Sequence, residues 1–310
     1  MTANHPEAVI RHSITAADQA AITAMRLATA PMKGKINGPA ARLPFADIMR
    51  HTPAAPGVTY EEARVGGVAG WWCRPEASAP TDSVVLFLHG GGYVLGSAEA
   101  HRNFVSQLVA RVGVDFFVPD YRLAPEHPFP AAIEDVLAAY RGLGALGKRR
   151  IALAGDSAGG GLALVTAALA TDEAAAVRPC AALVFSPWTD LTLASASFQT
   201  RAEADPIFTK DALGSLARHY LQGYDGHDAR VSPVYGKLAG LPPVQVHVGD
   251  AEVLLDDSVR YVALAQAAGV PAELHEWEGL PHVFASNLDG FQAASKALDL
   301  GGAFLAAQLA

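Results

Sequence analysis

The sequence predicts an α/β protein: a mostly parallel central sheet flanked by helices, with a helical cap. Three observations lead there. Short apolar runs such as Val84–Leu88, Ile151–Ala154 and Val244–Val248 lack the polar alternation of a sheet with one wet face, so they read as strands buried on both sides. Most are followed by a stretch of helical periodicity, which is the pattern of a parallel sheet covered by crossover helices. The alternation lapses once, between Ser186 and about Val231, where helical patches occur without a strand.

Taken in order, the first element is a helix. Thr15 with Asp18 three residues on reads as a capping box, and Pro31 ends the helix that follows at about Ala30. Gly34, Gly38, Pro39, Pro44, Pro53 and Pro56 then break the chain repeatedly, so the arm is expected to continue as a loop. Thr59–Val65 and Val68–Arg74, joined at Gly66-Gly67, read as a hairpin. Next come the strand Val84–Leu88 with a helix near Glu99–Val112, Val114–Val118 with Ala131–Leu143, and Ile151–Ala154 with Ala158–Ala170. Ala181–Phe185 leads into the irregular segment, which carries a helix over Lys210–Leu221. Val244–Val248 with Leu254–Ala268, Ala272–Trp277 and a last helix from about Asn287 complete the chain. The domain reading is residues 1–50 as the first part of a cap, 51–186 as the first part of the core, 187–225 as a cap insertion and 226–310 as the rest of the core.

Composition narrows the function. Of the 310 residues, 51% are apolar and 17% charged, enough for one large core and too little charge for a disordered chain. The net charge of −8 comes without a basic face, which argues against a nucleic-acid partner. Cys73 and Cys180 have no metal-type spacing and read as reduced thiols in or near strands. There is no apolar run of membrane-span length and no signal-peptide pattern at the start, so a cytoplasmic enzyme is expected.

Two motifs carry chemistry. Gly155-Asp156-Ser157-Ala158-Gly159 fits G-x-S-x-G between a strand and a helix, where a sharp turn lifts a nucleophilic Ser157 hydroxyl above the sheet. The small residues around it allow strand and helix to approach closely. His89-Gly90-Gly91-Gly92 follows another strand and exposes backbone N–H groups unobstructed by side chains. Such donors stabilise the oxyanion of a tetrahedral intermediate, and losing one typically costs about 3 kcal/mol. The competing readings are a phosphate loop for the glycines around Ser157, which lack a P-loop lysine and a G-x-G-x-x-G pattern, and a flexible glycine turn for residues 90–92. Asp156 and Arg122 read as structural. Tyr93, Trp188 and Phe208 are candidates to line a substrate pocket.

With HGGGY at 89–93, Asp120-Tyr121-Arg122-Leu123-Ala124-Pro125-Glu126 and GDSAGG at 155–160, the chain resembles the hormone-sensitive-lipase family, the bacterial family IV esterases of the α/β-hydrolase fold, in its GDSAGG branch. Ser186-Pro187-Trp188, Glu252–Asp257 and Pro281-His282 extend the resemblance over all but the first fifty residues. It implies a cap built from the arm and the 187–225 insertion, and oxyanion donors at Gly91, Gly92 and Ala158. It also implies hydrolysis of short- to medium-chain carboxylic esters without metal or cofactor.

In this fold the acid and then the base follow the nucleophile along the chain, each after a later strand. His227 and His247 come too early. His275 sits inside the last strand, as a partly exposed residue, whereas His282 lies in the loop just beyond it. His282 is therefore the expected base. Asp250 and Glu252 both lie on the loop after Val244–Val248, and their position does not separate them. Alignment with the family pattern Asp-Pro-Leu-x-Asp selects Glu252, with Leu254 and Asp256 in register. Glu stands for the family's Asp and Val253 for its Pro. Asp250 is expected to support the loop. The expected partner is a small-molecule ester, and a homodimer stays open. Two alternatives stand beside the esterase: a lactone or amide hydrolase using the same triad, and a non-catalytic ligand receptor of the kind that has lost the histidine retained here as His282.

Overall fold

A computed structural model of the chain describes residues 9–77, 81–173 and 177–310. Strand β1 (Val9–His12) comes first, and helix α1 (Ala16–Thr29) follows under the Thr15–Asp18 capping box. Helix α2 (Arg42–Arg50) then occupies what the prolines and glycines suggested was loop. Pro44 is its third residue, within the first turn, where no N–H is needed for a helical bond. The strand β1 was not foreseen either. It has only four residues, and its partner lies at the other end of the chain.

The hairpin is β2 (Val58–Val65) and β3 (Val68–Pro75). After it come β4 (Ser83–Leu88), α3 (Ala98–Val112), β5 (Phe116–Pro119), α4 (Ala131–Ala145), β6 (Arg150–Asp156), α5 (Ser157–Asp172) and β7 (Pro179–Phe185). The segment beyond β7 holds α6 (Ser197–Thr200), α7 (Lys210–Leu221) and a 3-10 turn at Pro233–Tyr235 before β8 (Val244–Gly249). Then follow α8 (Leu255–Ala267), β9 (Ala272–Trp277) and α9 (Gln292–Leu309). The last helix starts five residues later than its periodicity suggested, at Gln292, beyond a short 3-10 turn at Phe284–Ser286.

The nine strands form one sheet in the order β1-β9-β8-β7-β6-β4-β5-β3-β2, parallel except where β3 meets β2 and β5. Every residue of β4 is buried. Val84, Leu86 and Leu88 pack with α4, α5 and α8 in one core, while Val85 and Phe87 pack with α3 and α9 in another. That two-sided burial is why the strand carries no polar alternation. Cys73 on β3 and Cys180 on β7 are free thiols. No helix among the described residues is long and apolar enough to cross a membrane.

Candidate active site

The site lies at the carboxyl ends of β4, β6, β8 and β9. Strand β6 runs into α5 with no intervening loop, and the turn between them puts Ser157 at φ +53°, a left-handed conformation that costs an L-residue energy. The approach behind this turn is too close for side chains. A Cβ on Gly159 would sit 2.0 Å from the Leu88 carbonyl oxygen. Asp156 is buried, and its Oδ1 accepts the Gly90 N–H at 2.9 Å, tying the glycine loop to the elbow. Burial pushes its carboxyl up to about 7. Arg122 pairs with Asp135 and Glu134 on α4, on the outside of the fold.

His282 approaches Ser157 from the loop after β9, with Nε2 2.8 Å from the Ser157 Oγ. Its Nδ1 is hydrogen-bonded to Glu252 Oε2. Glu252 is fully buried, and its Oε1 accepts from the Gly249 N–H at 2.9 Å and the Ser186 hydroxyl at 2.7 Å. A carboxylate on Nδ1 fixes the proton there and leaves Nε2 to accept from the serine. Burial alone would pull the imidazole pKa down, but the carboxylates of Glu252, Asp205 and Asp156 outweigh it, and the pKa is raised above 6.5. Asp250 is turned elsewhere: its Oδ1 accepts the Gly279 N–H at 2.6 Å, bracing the loop that carries the histidine.

Sequence reasoning overlooked two residues. Ser186, at φ +47°, donates to Glu252 and accepts the Val283 N–H at 3.0 Å, so one hydroxyl holds both the carboxylate and the loop of His282. Its only signal was the Ser-Pro-Trp run. The other is Asp205, in the irregular segment, which carried no motif.

Gly91, Gly92, Ser157, His282 and Phe208 line a cavity of about 650 Å³. Gly91 and Gly92 take φ +120° and +62°. Ala158 is in the first turn of α5, where an N–H has no acceptor within the helix. Phe208 meets the His282 ring edge-on at 5.0 Å. The opposite wall comes from the arm, including Met32, Ile36, Phe45 and Ile48.

Three expectations need correction. Tyr93 and Trp188 do not line the cavity. Tyr93 is buried in a stack on Tyr220 with ring centroids 4.0 Å apart, and Trp188 is fully buried with its indole N–H on the Asp190 carbonyl. Large aromatics in conspicuous motifs are here packing. His275 is not partly exposed but buried, stacked on His247 and hydrogen-bonded to His12 of β1. The unforeseen edge strand is what covers it. Among the described residues no cluster of three or more His, Cys, Asp or Glu is arranged to hold a metal ion.

The profile of the alpha/beta hydrolase fold family matches residues 85–286. An acetyl-hydrolase of Streptomyces hygroscopicus is 40% identical over 78% of this chain and 80% of its own. The carboxylesterase NlhH of Mycobacterium tuberculosis is 34% identical over 94% and 91%. A crystal structure of an esterase from the bacterial hormone-sensitive lipase family superposes with a TM-score of 0.85 at 37% identity, covering 96% of this chain and 99% of that one. The chain belongs to the hormone-sensitive-lipase family of the α/β-hydrolase fold and is an esterase.

Proposed function

We propose that this esterase is a serine carboxylesterase that hydrolyses short- to medium-chain esters through a Ser157–His282–Glu252 triad and an acyl-enzyme. The observation that carries the reading is the continuous hydrogen-bonded line from a strained serine hydroxyl through His282 to a buried carboxylate. His282 Nε2 takes the Ser157 proton as Oγ adds to the ester carbonyl, and it then gives that proton to the departing alcohol. Water repeats the sequence on the acyl-enzyme, releasing the acid and restoring the serine. Glu252 holds the imidazole in the working tautomer and offsets its positive charge.

The negative oxygen of each tetrahedral intermediate is met by the N–H groups of Gly91, Gly92 and Ala158. Of the expected cap, 1–50 and 187–225, residues 1–8 lie outside the described residues and β1 joins the sheet. The arm from α1 onward and 187–225 therefore act as the cap, and Phe208 is a wall of the acyl or alcohol pocket. Ester over lactone or amide is favoured by the acetyl-hydrolase and carboxylesterase relatives.

A series of p-nitrophenyl esters tests this. Turnover should peak at about C4 to C6 and collapse by about C16, as the resemblance to esterases of short- and medium-chain substrates implies. A palmitate ester cleaved faster than butyrate, below its aggregation limit, would sink the chain-length reading. A panel of lactones and amides hydrolysed faster than any ester would sink the substrate class.

A further inference from the structure

Asp205 lies in the segment between α6 and α7, and its carboxylate is fully buried. Both oxygens are committed to backbone donors. Oδ1 accepts from Ile207 at 2.7 Å and Phe208 at 2.8 Å, and Oδ2 accepts from Val253 at 2.9 Å. The first two shape the turn that sets Phe208 edge-on against His282. The third crosses to the residue immediately after Glu252. One side chain outside the core strands therefore fixes a wall of the cavity and the peptide that carries the acid.

The crossing bond depends on a departure from the family pattern. That pattern has proline after the acid, and proline has no N–H to donate. Here Val253 supplies the N–H, and the acid is the longer glutamate, with one more rotatable bond to restrain. Burial pushes the Asp205 carboxyl up from its ordinary value, while its three backbone donors favour the ionised form. Ionised, it adds a negative charge facing His282 beside those of Glu252, after β8, and Asp156, at the end of β6.

We infer that Asp205 is a positioning residue for the triad, pinning the Glu252 loop to the segment before α7 and facing His282 with a fixed negative charge. This rests on the reading of Ser157, His282 and Glu252 as the reacting groups.

The test is kcat, KM and the pH dependence of kcat/KM for p-nitrophenyl butyrate, compared between wild type and Asp205→Asn, which keeps the shape and removes the charge. The variant is expected to lose about tenfold in kcat with KM within about threefold. Its acid limb should move to lower pH, because less negative charge holds the proton on His282. Wild-type kcat, a loss confined to KM, or a kcat loss with the acid limb unmoved would each overturn the inference. If Asp205→Asn does not fold, Asp205→Ser is read by the same criteria, and failure of both to fold assigns the residue to the fold alone and also overturns it. Ser157→Ala is run alongside. Activity surviving there fails the triad reading itself, whereas a dead Ser157→Ala with an unaffected Asp205→Asn fails only the role of Asp205.

Discussion

Two walls face each other across the cavity, and they are built differently. On the sheet side, strands and helix meet so closely that a Cβ on Gly159 would strike the Leu88 carbonyl, and Ser157, Ser186 and Val283 all hold positive φ. The polar groups around the nucleophile are tied to one another: Asp156 to Gly90, Glu252 to Gly249 and Ser186, Ser186 to Val283. On the arm side, apolar side chains stand half in water, with Met32 60% and Ile48 57% exposed. The first wall is over-determined by backbone contact and buried hydrogen bonds, which is how strained geometry persists. The second is anchored to the body at Arg42 and Thr52, but several side chains it turns to the cavity are only partly covered. Substitutions in the first should act on kcat, and substitutions in the second on KM and chain-length preference.

The largest contrast is expected inside the sheet-side wall itself. Removing the orienting carboxylate leaves the base in the wrong tautomer, which costs about 10⁴ in kcat in one well-studied triad. Glu252→Gln should therefore lose at least about a hundredfold in kcat. Asp250→Asn, which disturbs only the Gly279 brace, should lose far less. Kinetics on the two folded variants decide it, and the reverse ranking moves the acid to Asp250.

A smaller effect comes from acid. In the proposed mechanism His282 works as the neutral imidazole, and its pKa is raised because the neighbouring carboxylates outweigh burial. Activity should therefore be complete at high pH and fall as pH drops through a midpoint above 6.5. A pH profile of kcat/KM whose acid midpoint lies at or below that value would break the electrostatic part of the account. The smallest effect belongs to the arm. Ile48→Ala should raise KM for a butyrate ester by about threefold, since a half-exposed side chain contributes only part of its burial energy, and leave kcat within about twofold. A kcat loss matching that of Glu252→Gln would erase the distinction between the walls.

The same difference explains what could be read from the sequence. Where backbones touch, only small residues fit, so the elbow writes itself as Gly155, Ala158 and Gly159 and the glycine loop as residues 90–92. The buried strands announce themselves by continuous apolar runs for a related reason: both faces are covered. The arm has no such constraint. Pro44, taken for a breaker, sits in a helix's first turn where it does no harm, and β1 is too short to show alternation. Tyr93 and Trp188 were drawn into the pocket by their place in motifs, although a sequence does not tell which side of a packed turn a ring lies on. The roles of Ser186 and Asp205 were hidden for a further reason: each works through hydrogen bonds to residues distant in sequence.

The central claim is that Ser157 is the nucleophile. A p-nitrophenyl alkylphosphonate mimics the tetrahedral intermediate and leaves a stable bond on the attacking oxygen. Inactivation should release one equivalent of p-nitrophenol per chain, and peptide mass mapping should place the phosphonyl group on Ser157, with no labelling of Ser157→Ala. Complete inactivation with the group on any other residue would contradict the account.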